Sequence, residues 1–286
     1  MTDVQTFTET LFVTQSRSMA YNSGAFMSQG QACLIDPGPH PEDTERLIVF
    51  VATQRALISN VVLTHSHWDH VLGPERMRPE LIVTTAAYRE AVRQDSDRIL
   101  GAIARWEAQC GYTRERPFSI PQPDETFDEA IELQLGKLDL KLIRIPGHAA
   151  DQLAIYEPRS GALWAADTLS DIEIPFVSDS LVAYEASLAK LAKLAIRALV
   201  PGHGSPTRDQ QEIDSRLHAD RAYLAELRER VSAAVAAGQS AEEAVAACAD
   251  MRFREPEENA GPHRLNVESA YIELGGSADP QQIGWR

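Results

Sequence analysis

A mixed α/β or α+β fold is predicted by three features of the sequence. Short runs rich in β-branched and aliphatic residues recur along the first two hundred positions. Longer stretches with apolar residues at steps of three and four lie between them, as amphipathic helices require. Beyond "PGHGSPT" the chain turns almost wholly helix-forming.

The strand candidates are Ala32-Cys33-Leu34-Ile35, Val61-Val62-Leu63, Leu81-Ile82-Val83, Leu138 to Ile145, Leu153 to Tyr156, Ala162 to Ala165 and Ala198 to Val200. Alternation in "LDLKL" predicts one solvated and one buried face from Leu138 to Leu142. A first helix is expected from Pro41 to about Gln54, where Pro near the first turn and Glu42 and Asp43 behind it suit the positive end of a helix. Ser180 to Ala198 carries Leu181, Tyr184, Leu188, Leu191, Ala195 and Ala198 on one side, a helix laid on a sheet. Residues 86–130 read as an insertion, part helix and part Pro-rich loop, acting as a lid or pocket wall. Its Arg89, Arg93, Arg98, Arg105, Arg114 and Arg116 could receive an anionic substrate, although a solvated face is the stronger reading.

The catalytic region is expected over 1–208, followed by a helical extension over 209–286. There, Asp209 to about Ala237 places Ile213, Leu217, Leu224, Leu227, Val231 and Val235 along one side, with Gly238 as a stop. Ser240-Ala-Glu-Glu243 is a capping box for a short helix. Residues 253–263 read as a loop, and Arg264 to Leu274 as a last helix before a loose tail.

Composition narrows the function. The chain has 286 residues, 44% of them hydrophobic, enough for a sizeable core. With 27 basic against 42 acidic residues, the formal charge of -15 repels phosphate backbones and anionic membranes, so neither nucleic acid nor a membrane is expected as a partner. No basic segment followed by a long apolar one opens the chain, so a cytoplasmic location is the default expectation. Cys33, Cys110 and Cys248 are odd in number and far apart, which suggests neither a disulfide framework nor a thiolate metal site. Cys33 in "QACLID" reads as a small buried hydrophobe.

The chemistry is concentrated in "THSHWDH", residues 64–70, which holds three of the eight histidines. His65 and His67, two apart, face one side of an extended stretch and can share a cation. Asp69 and His70, after the chain begins to turn, could hold a second. Imidazole nitrogens and a carboxylate suit zinc, or iron, manganese or nickel, where no thiolate is offered. Four more polar residues each follow a strand candidate: Asp36 in "LIDPG", His148 in "IPGH", Asp167 in "LWAAD" and His203 in "PGHG". Singly, His148 or Asp167 reads as a turn or cap residue; with the cluster, ligands at several strand ends can converge on one sheet edge.

That ordered set, Asp36-Pro-Gly, His65-Ser-His-Trp-Asp-His70, Gly147-His148, Asp167 and Gly202-His203-Gly, resembles the metallo-β-lactamase superfamily over about residues 10–208. The resemblance implies a four-layer αβ/βα sandwich with a metal site at one edge. It implies His65, His67 and His148 on one metal, Asp69, His70 and His203 on a second, and Asp167 bridging both, with Asp36 holding the histidine loop. The full set is more similar to hydroxyacylglutathione hydrolases and lactonases than to antibiotic-hydrolysing members. Two zinc ions per chain, with iron or manganese as alternatives, are the expected cofactors.

A pair of divalent cations lowers the pKa of a shared water, polarises a carbonyl and stabilises the leaving atom, so a small ester, lactone or thioester is the expected substrate. Asp69 and Asp167 would accept or steer the proton. Alternatives are phosphodiester or RNA cleavage and, in a different class, oxygen chemistry at a single iron resembling persulfide dioxygenases. The C-terminal helices are expected to complete the pocket or to bury against a second copy of the chain as a homodimer. Of the remaining histidines, His218 reads as solvent-facing and His40 and His263 as turn residues, while Trp68 reads as packing support for its loop.

Overall fold

The computed structural model describes residues 3–77 and 79–277. The tail expected after residue 274 lies outside the described residues from 278 onward.

Two sheets form the centre. The first holds β1 (Gln5–Thr6), β2 (Leu11–Gln15), β3 (Asn22–Ser28), β4 (Gln31–Ile35), β5 (Leu57–Val62), β6 (Leu81–Thr85) and β7 (Glu125–Phe127), in that spatial order. The second holds β8 (Ala130–Leu135), β9 (Leu138–Arg144), β10 (Leu153–Glu157), β11 (Ala162–Trp164) and β12 (Ala198–Val200), ordered β12-β11-β10-β9-β8. Their inner faces meet in one apolar cluster, with Phe26, Cys33, Ile35 and Val62 from the first sheet against Leu140, Leu142, Ile155 and Trp164 from the second. The alternation in β9 is realised as buried and exposed residues in strict turn. Cys33 is buried there as a small hydrophobe.

Helices cover both outer faces. Outside the first sheet lie α1 (Pro41–Thr53) and α2 (Ala87–Cys110), burying Leu47, Val51, Tyr88, Ile99 and Ile103. Outside the second lie α3 (Leu181–Leu191), α4 (Gln210–Ala236), α5 (Ala241–Cys248) and α6 (Ala260–Glu273). The result is the four-layer αβ/βα sandwich. The C-terminal helices share one hydrophobic cluster with α3 and the back of the second sheet, in which Leu188, Leu224, Leu227 and Val267 meet Ala154 and Leu163.

Helix ends follow local chemistry. Pro41 sits in the first turn of α1, and Gly111 closes α2 at φ 67°, a left-handed conformation glycine adopts freely. Ser180 caps α3 by accepting from the Ala183 N–H, Asp209 caps α4, and the Ser240–Glu243 capping box opens α5. Two boundaries differ from expectation. Helix α3 stops at Leu191 rather than Ala198, because the chain must turn to run β12 parallel to β11. Helix α6 begins at Ala260 rather than Arg264, since Pro262 is tolerated in a first turn whose N–H groups have no intrahelical partner. Among the described residues no helix is long and apolar enough to cross a membrane.

Candidate metal centre

Five strand ends deliver the site. Asp36 follows β4, His65 to His70 follow β5, His148 follows β9, Asp167 follows β11 and His203 follows β12. Non-glycine residues with positive φ gather around the site: Asp36 (41°), Ala166 (50°) and Leu169 (58°) in these loops, and Met19 (58°) and Ala20 (44°) in the turn between β2 and β3 that meets His203. Such backbone persists only where the surroundings over-determine it. Glycine is required at two approaches: a Cβ on Gly202 would stand 2.1 Å from Asp167 Oδ1, and one on Gly147, at φ 130°, would stand 2.3 Å from the Tyr184 backbone.

All seven residues expected from the sequence come together. His65, His67, His148 and Asp167 form one group able to hold a metal ion, and Asp69, His70 and His203 a second. In the first, His67 Nδ1 lies 3.0 Å from His148 Nε2, and Asp167 Oδ2 lies 3.4 Å from His148 Nε2 and 3.7 Å from His65 Nε2. In the second, His203 Nε2 is 3.1 Å and His70 Nε2 3.7 Å from Asp69 Oδ2. Asp167 faces both, with Oδ1 3.3 Å from His70 Nε2 and Oδ2 3.7 Å from His203 Nε2.

In four of the five rings, those of His65, His70, His148 and His203, the other edge is held by an acceptor. His148 Nδ1 lies 3.0 Å from the Phe176 carbonyl, and His203 Nδ1 lies 3.0 Å from the Met19 carbonyl. Asp36 anchors the histidine loop itself: Oδ1 accepts from the Thr64 N–H (2.8 Å), and Oδ2 from the Thr64 hydroxyl (2.6 Å) and His70 Nδ1 (2.9 Å). Because the Thr64 proton is committed to Asp36, its oxygen accepts from His65 Nδ1 at 3.1 Å. These bonds place the ring protons on Nδ1 and turn the Nε2 lone pairs of His65, His70, His148 and His203 inward, the tautomer metal ligation requires. His65 Nε2, His70 Nε2 and Asp167 Oδ1 are buried with no hydrogen-bond partner. Buried polar atoms without partners are costly, and these converge, so the residues present fit divalent cations.

The electrostatics agree. Burial, reinforced by neighbouring imidazoles, pushes His65 well below the usual histidine range and His67 down to about 3; burial also lowers His148. These rings are neutral with lone pairs available. Burial opposes charge on His70 and His203 too, but Asp167 and Asp69 outweigh it, raising His70 well above its ordinary value and His203 to about 10. The same attraction from His70 and His203 holds Asp167 well below the usual carboxylate range despite its burial. The carboxylates therefore demand positive charge at these two Nε2 atoms, which a metal cation supplies as well as a proton does.

The profile of the metallo-β-lactamase superfamily matches residues 20–203, well over half of the chain. The protein belongs to this superfamily. Its fold and its His/Asp metal cluster are those of a metallo-hydrolase superfamily member. The "Beta-lactamase-like protein 2 homolog" of Caenorhabditis elegans is 25% identical over 233 residues, covering 75% of this chain and 71% of the relative. A hydroxyacylglutathione hydrolase of Jannaschia sp. is 25% identical over 183 residues, 64% of this chain and 62% of its own. In fold the chain is similar to the sec-alkylsulfatase Pisa1 from Pseudomonas sp., with a TM-score of 0.74 at 17% identity over the whole of this chain; it spans about half, 52%, of the sulfatase.

A cavity of about 680 Å³ opens onto His148 and Asp167. Its walls are largely apolar, built from Met19, Ile172, Ile174, Phe176, Pro262 and Leu265. The insertion's arginines are elsewhere. Arg93 pairs with Glu90 and Arg114 with Glu75 and Glu107, while Arg89 donates to the Pro123 carbonyl. Arg98, paired with Asp95 at 2.8 Å, lines a separate cavity of about 570 Å³ that reaches His67. Trp68 packs against Trp106 of α2, ring centroids 5.2 Å apart, as support for its loop. His218 is exposed, whereas His40 and His263 are buried, the first beside Ser18 Oγ (2.9 Å) and the second between the Tyr223 hydroxyl (2.8 Å) and the Cys248 carbonyl (3.1 Å).

The sequence alone did not point to Tyr21 or Thr64. The Tyr21 ring meets His70 and His203 edge-on at 5.1 and 5.3 Å, and its hydroxyl donates to the Asp36 carbonyl. Thr64 adjoins the histidine cluster, the one local signal available; Tyr21 has none.

Asp36 yields a direct test. Asp36→Ala leaves Thr64 and His70 without their acceptor and frees the His70 imidazole, and through Thr64 that of His65, to reorient. Metal affinity, measured by competition with a chromogenic chelator, is expected to fall about 10- to 100-fold. Unchanged affinity would show that the loop holds its geometry without the carboxylate.

Proposed function

We propose that the protein is a dinuclear zinc hydrolase of a small carbonyl substrate, an ester, lactone or thioester. The observation that carries this reading is the division of seven converging side chains into two adjacent groups joined by Asp167, beside a largely apolar cavity. His65, His67, His148 and Asp167 would hold one cation and Asp69, His70, His203 and Asp167 the other. Bound cations would supply Lewis acidity, lowering the pKa of water and polarising a carbonyl.

The chain's own residues do the rest. Asp36, Thr64 and the Phe176 and Met19 carbonyls fix the imidazole tautomers. Asp69, which is buried, and Asp167, which is partly buried beside the cavity, are placed to take a proton from the attacking water and pass it to the leaving atom. Ile174 and Phe176 shield the reacting carbonyl from bulk water. Similarity to a hydroxyacylglutathione hydrolase supports a thioester among the candidates.

Metal analysis of the purified protein, with a panel of ester, lactone, thioester and phosphodiester substrates, tests the reading. Two zincs per chain and chelator-sensitive turnover of a carbonyl substrate are expected. A single iron with oxygen-dependent activity, or turnover confined to phosphodiesters, would replace it.

A further inference from the structure

Three carboxylates line the cavity beside Asp167: Glu173, partly buried in the wall between Ile172 and Ile174, and Glu255 and Glu258 at the exposed rim. No lysine or arginine lines it among the described residues. The nearby Arg254 is committed elsewhere, to Asp220 and to the carbonyls of Ser170 and Glu173. Glu173 is largely enclosed, and no hydrogen bond or ion pair to its carboxylate is found among the described residues, although its own backbone is held by Ser170 and Arg254.

Resting on the hydrolase reading, we infer that this cavity selects a substrate with an apolar body and a positively charged ammonium group, which Glu173 receives. An enclosed carboxylate without a counter-charge is unfavourable, so a wall that keeps one is complementary to a cation arriving with the ligand. Burial, with Asp167 and Asp69 adding to it, pushes the Glu173 carboxyl up to about 7 against the pull of His203 and His70, and no cationic side chain stands on the cavity side of it among the described residues. Glu255 and Glu258 extend the same sign of field to the mouth, and the chain's formal charge of -15 reinforces it. The apolar walls take the hydrocarbon part. Anionic substrates meet only repulsion on this side of the metal centre, which separates the pocket from one built for sulfates, phosphates or dicarboxylates.

A matched series tests this: thioesters of one acyl chain ending in trimethylammonium, in its neutral tert-butyl isostere, or in a carboxylate, assayed with the metal-loaded protein. Non-hydrolysable ethers bearing the same three ends are titrated in parallel by calorimetry. The wild type is expected to prefer the ammonium end over the neutral one by about thirtyfold or more, as for an enclosed charge pair against its truncation. Glu173→Gln, nearly isosteric, should abolish that preference while leaving kcat/KM for the neutral thioester within about threefold. Glu173→Lys should turn the preference toward the carboxylate end. Equal affinity for all three ethers would overturn the proposal, as would a Glu173→Gln defect that is uniform across the series, which would assign the residue to the chemical step. If neither these thioesters nor the matching oxygen esters and lactones are turned over, the hydrolase reading fails, while the ether titrations still decide what the pocket selects.

Discussion

Asp167→Asn is expected to lower kcat/KM by at least about 100-fold on every substrate the enzyme accepts and to reduce bound metal from two ions toward one. The lower bound follows because groups that merely orient metal ligands are typically worth 10- to 100-fold, and Asp167 stands closer than that. Its Oδ1 lies 3.3 Å from His70 Nε2, and its Oδ2 lies 3.4 Å from His148 Nε2 and 3.7 Å from both His65 Nε2 and His203 Nε2. Thr64 Oγ1 also touches a ring from each group, but at Nδ1 of His65 and His70; among the described residues Asp167 is the carboxylate that faces Nε2 atoms of both groups. The amide keeps the volume and removes the charge, leaving the second group with Asp69 as its only carboxylate. Metal content by atomic emission and the kinetics of the purified variant provide the check. Two tightly held ions and near-normal turnover would mean that Asp167 is not the bridge. Circular dichroism separates a site defect from unfolding, because the Asp167 backbone is fixed independently through Gln152 Oε1 and the Tyr184 hydroxyl.

The centre was legible because its chemistry is written in residue types that have few other uses side by side. His65, His67, Asp69 and His70 occupy six consecutive positions, and the distant partners each follow an apolar strand at a glycine- or alanine-rich turn. Strands β4, β5, β6 and β9 to β12 announced themselves by branched aliphatic runs. Strand β3 did not. Its residues "NSGAFMS" are those of a loop by local preference, and it is a strand through its pairing with β2 and β4. Its Gly24 is dictated by tertiary contact, since a Cβ there would stand 2.4 Å from the Trp164 ring. Strand β8, "AIELQL", starts where the stretch read as an insertion ends and was not among the strand candidates; it is fixed by its hairpin with β9. The start of α6 was masked by "NAGP": Asn259 precedes the helix and turns its amide to the carbonyls of Ile172, Arg254 and Glu255. The pocket wall was the least legible part. It is a loop between β11 and α3 whose shape comes from residues nearly a hundred positions away.

That dependence predicts the second large effect, on stability and on the pocket together. The loop at 168–177 is tied to the metal centre through the His203 carbonyl and His148, and the C-terminal helices and the segment joining them hold its outer side. Asp220 Oδ2 accepts from the Leu169 N–H (3.2 Å), Arg216 donates to the Leu169 carbonyl (3.3 Å), and Arg254 donates to the Ser170 and Glu173 carbonyls. Asn266 brackets Pro175 and Val177 with bonds of 2.7 Å each. At the hub, Arg254 also pairs with the buried Asp220. Arg254→Met keeps most of the apolar stem but strands Asp220 without its counter-ion, a loss of about 3–5 kcal/mol for a broken buried pair. A drop in Tm on the order of 10 °C should follow for a domain of this size. Burial already pushes the Asp220 carboxyl up to about 6 even with Arg254 beside it; removing the guanidinium raises it further. A carboxyl whose folded pKa exceeds its unfolded value binds more protons when folded, so stability falls as pH rises from the unfolded pKa through the folded one. The Tm gap between wild type and variant should therefore be wider at pH 8 than at pH 5. In the double variant Arg254→Met, Asp220→Leu, the unpaired charge is gone and much of the lost stability should return, although Leu169 still lacks its acceptor. Turnover should not return with it, because the carbonyls of Ser170 and Glu173 lose their Arg254 donor beside the metal centre, which leaves these residues the bonds of the Ser170 hydroxyl to the His203 carbonyl and the Glu173 N–H. Recovery of activity along with stability would show that the loop keeps its own shape, and that the C-terminal helices only cover the second sheet.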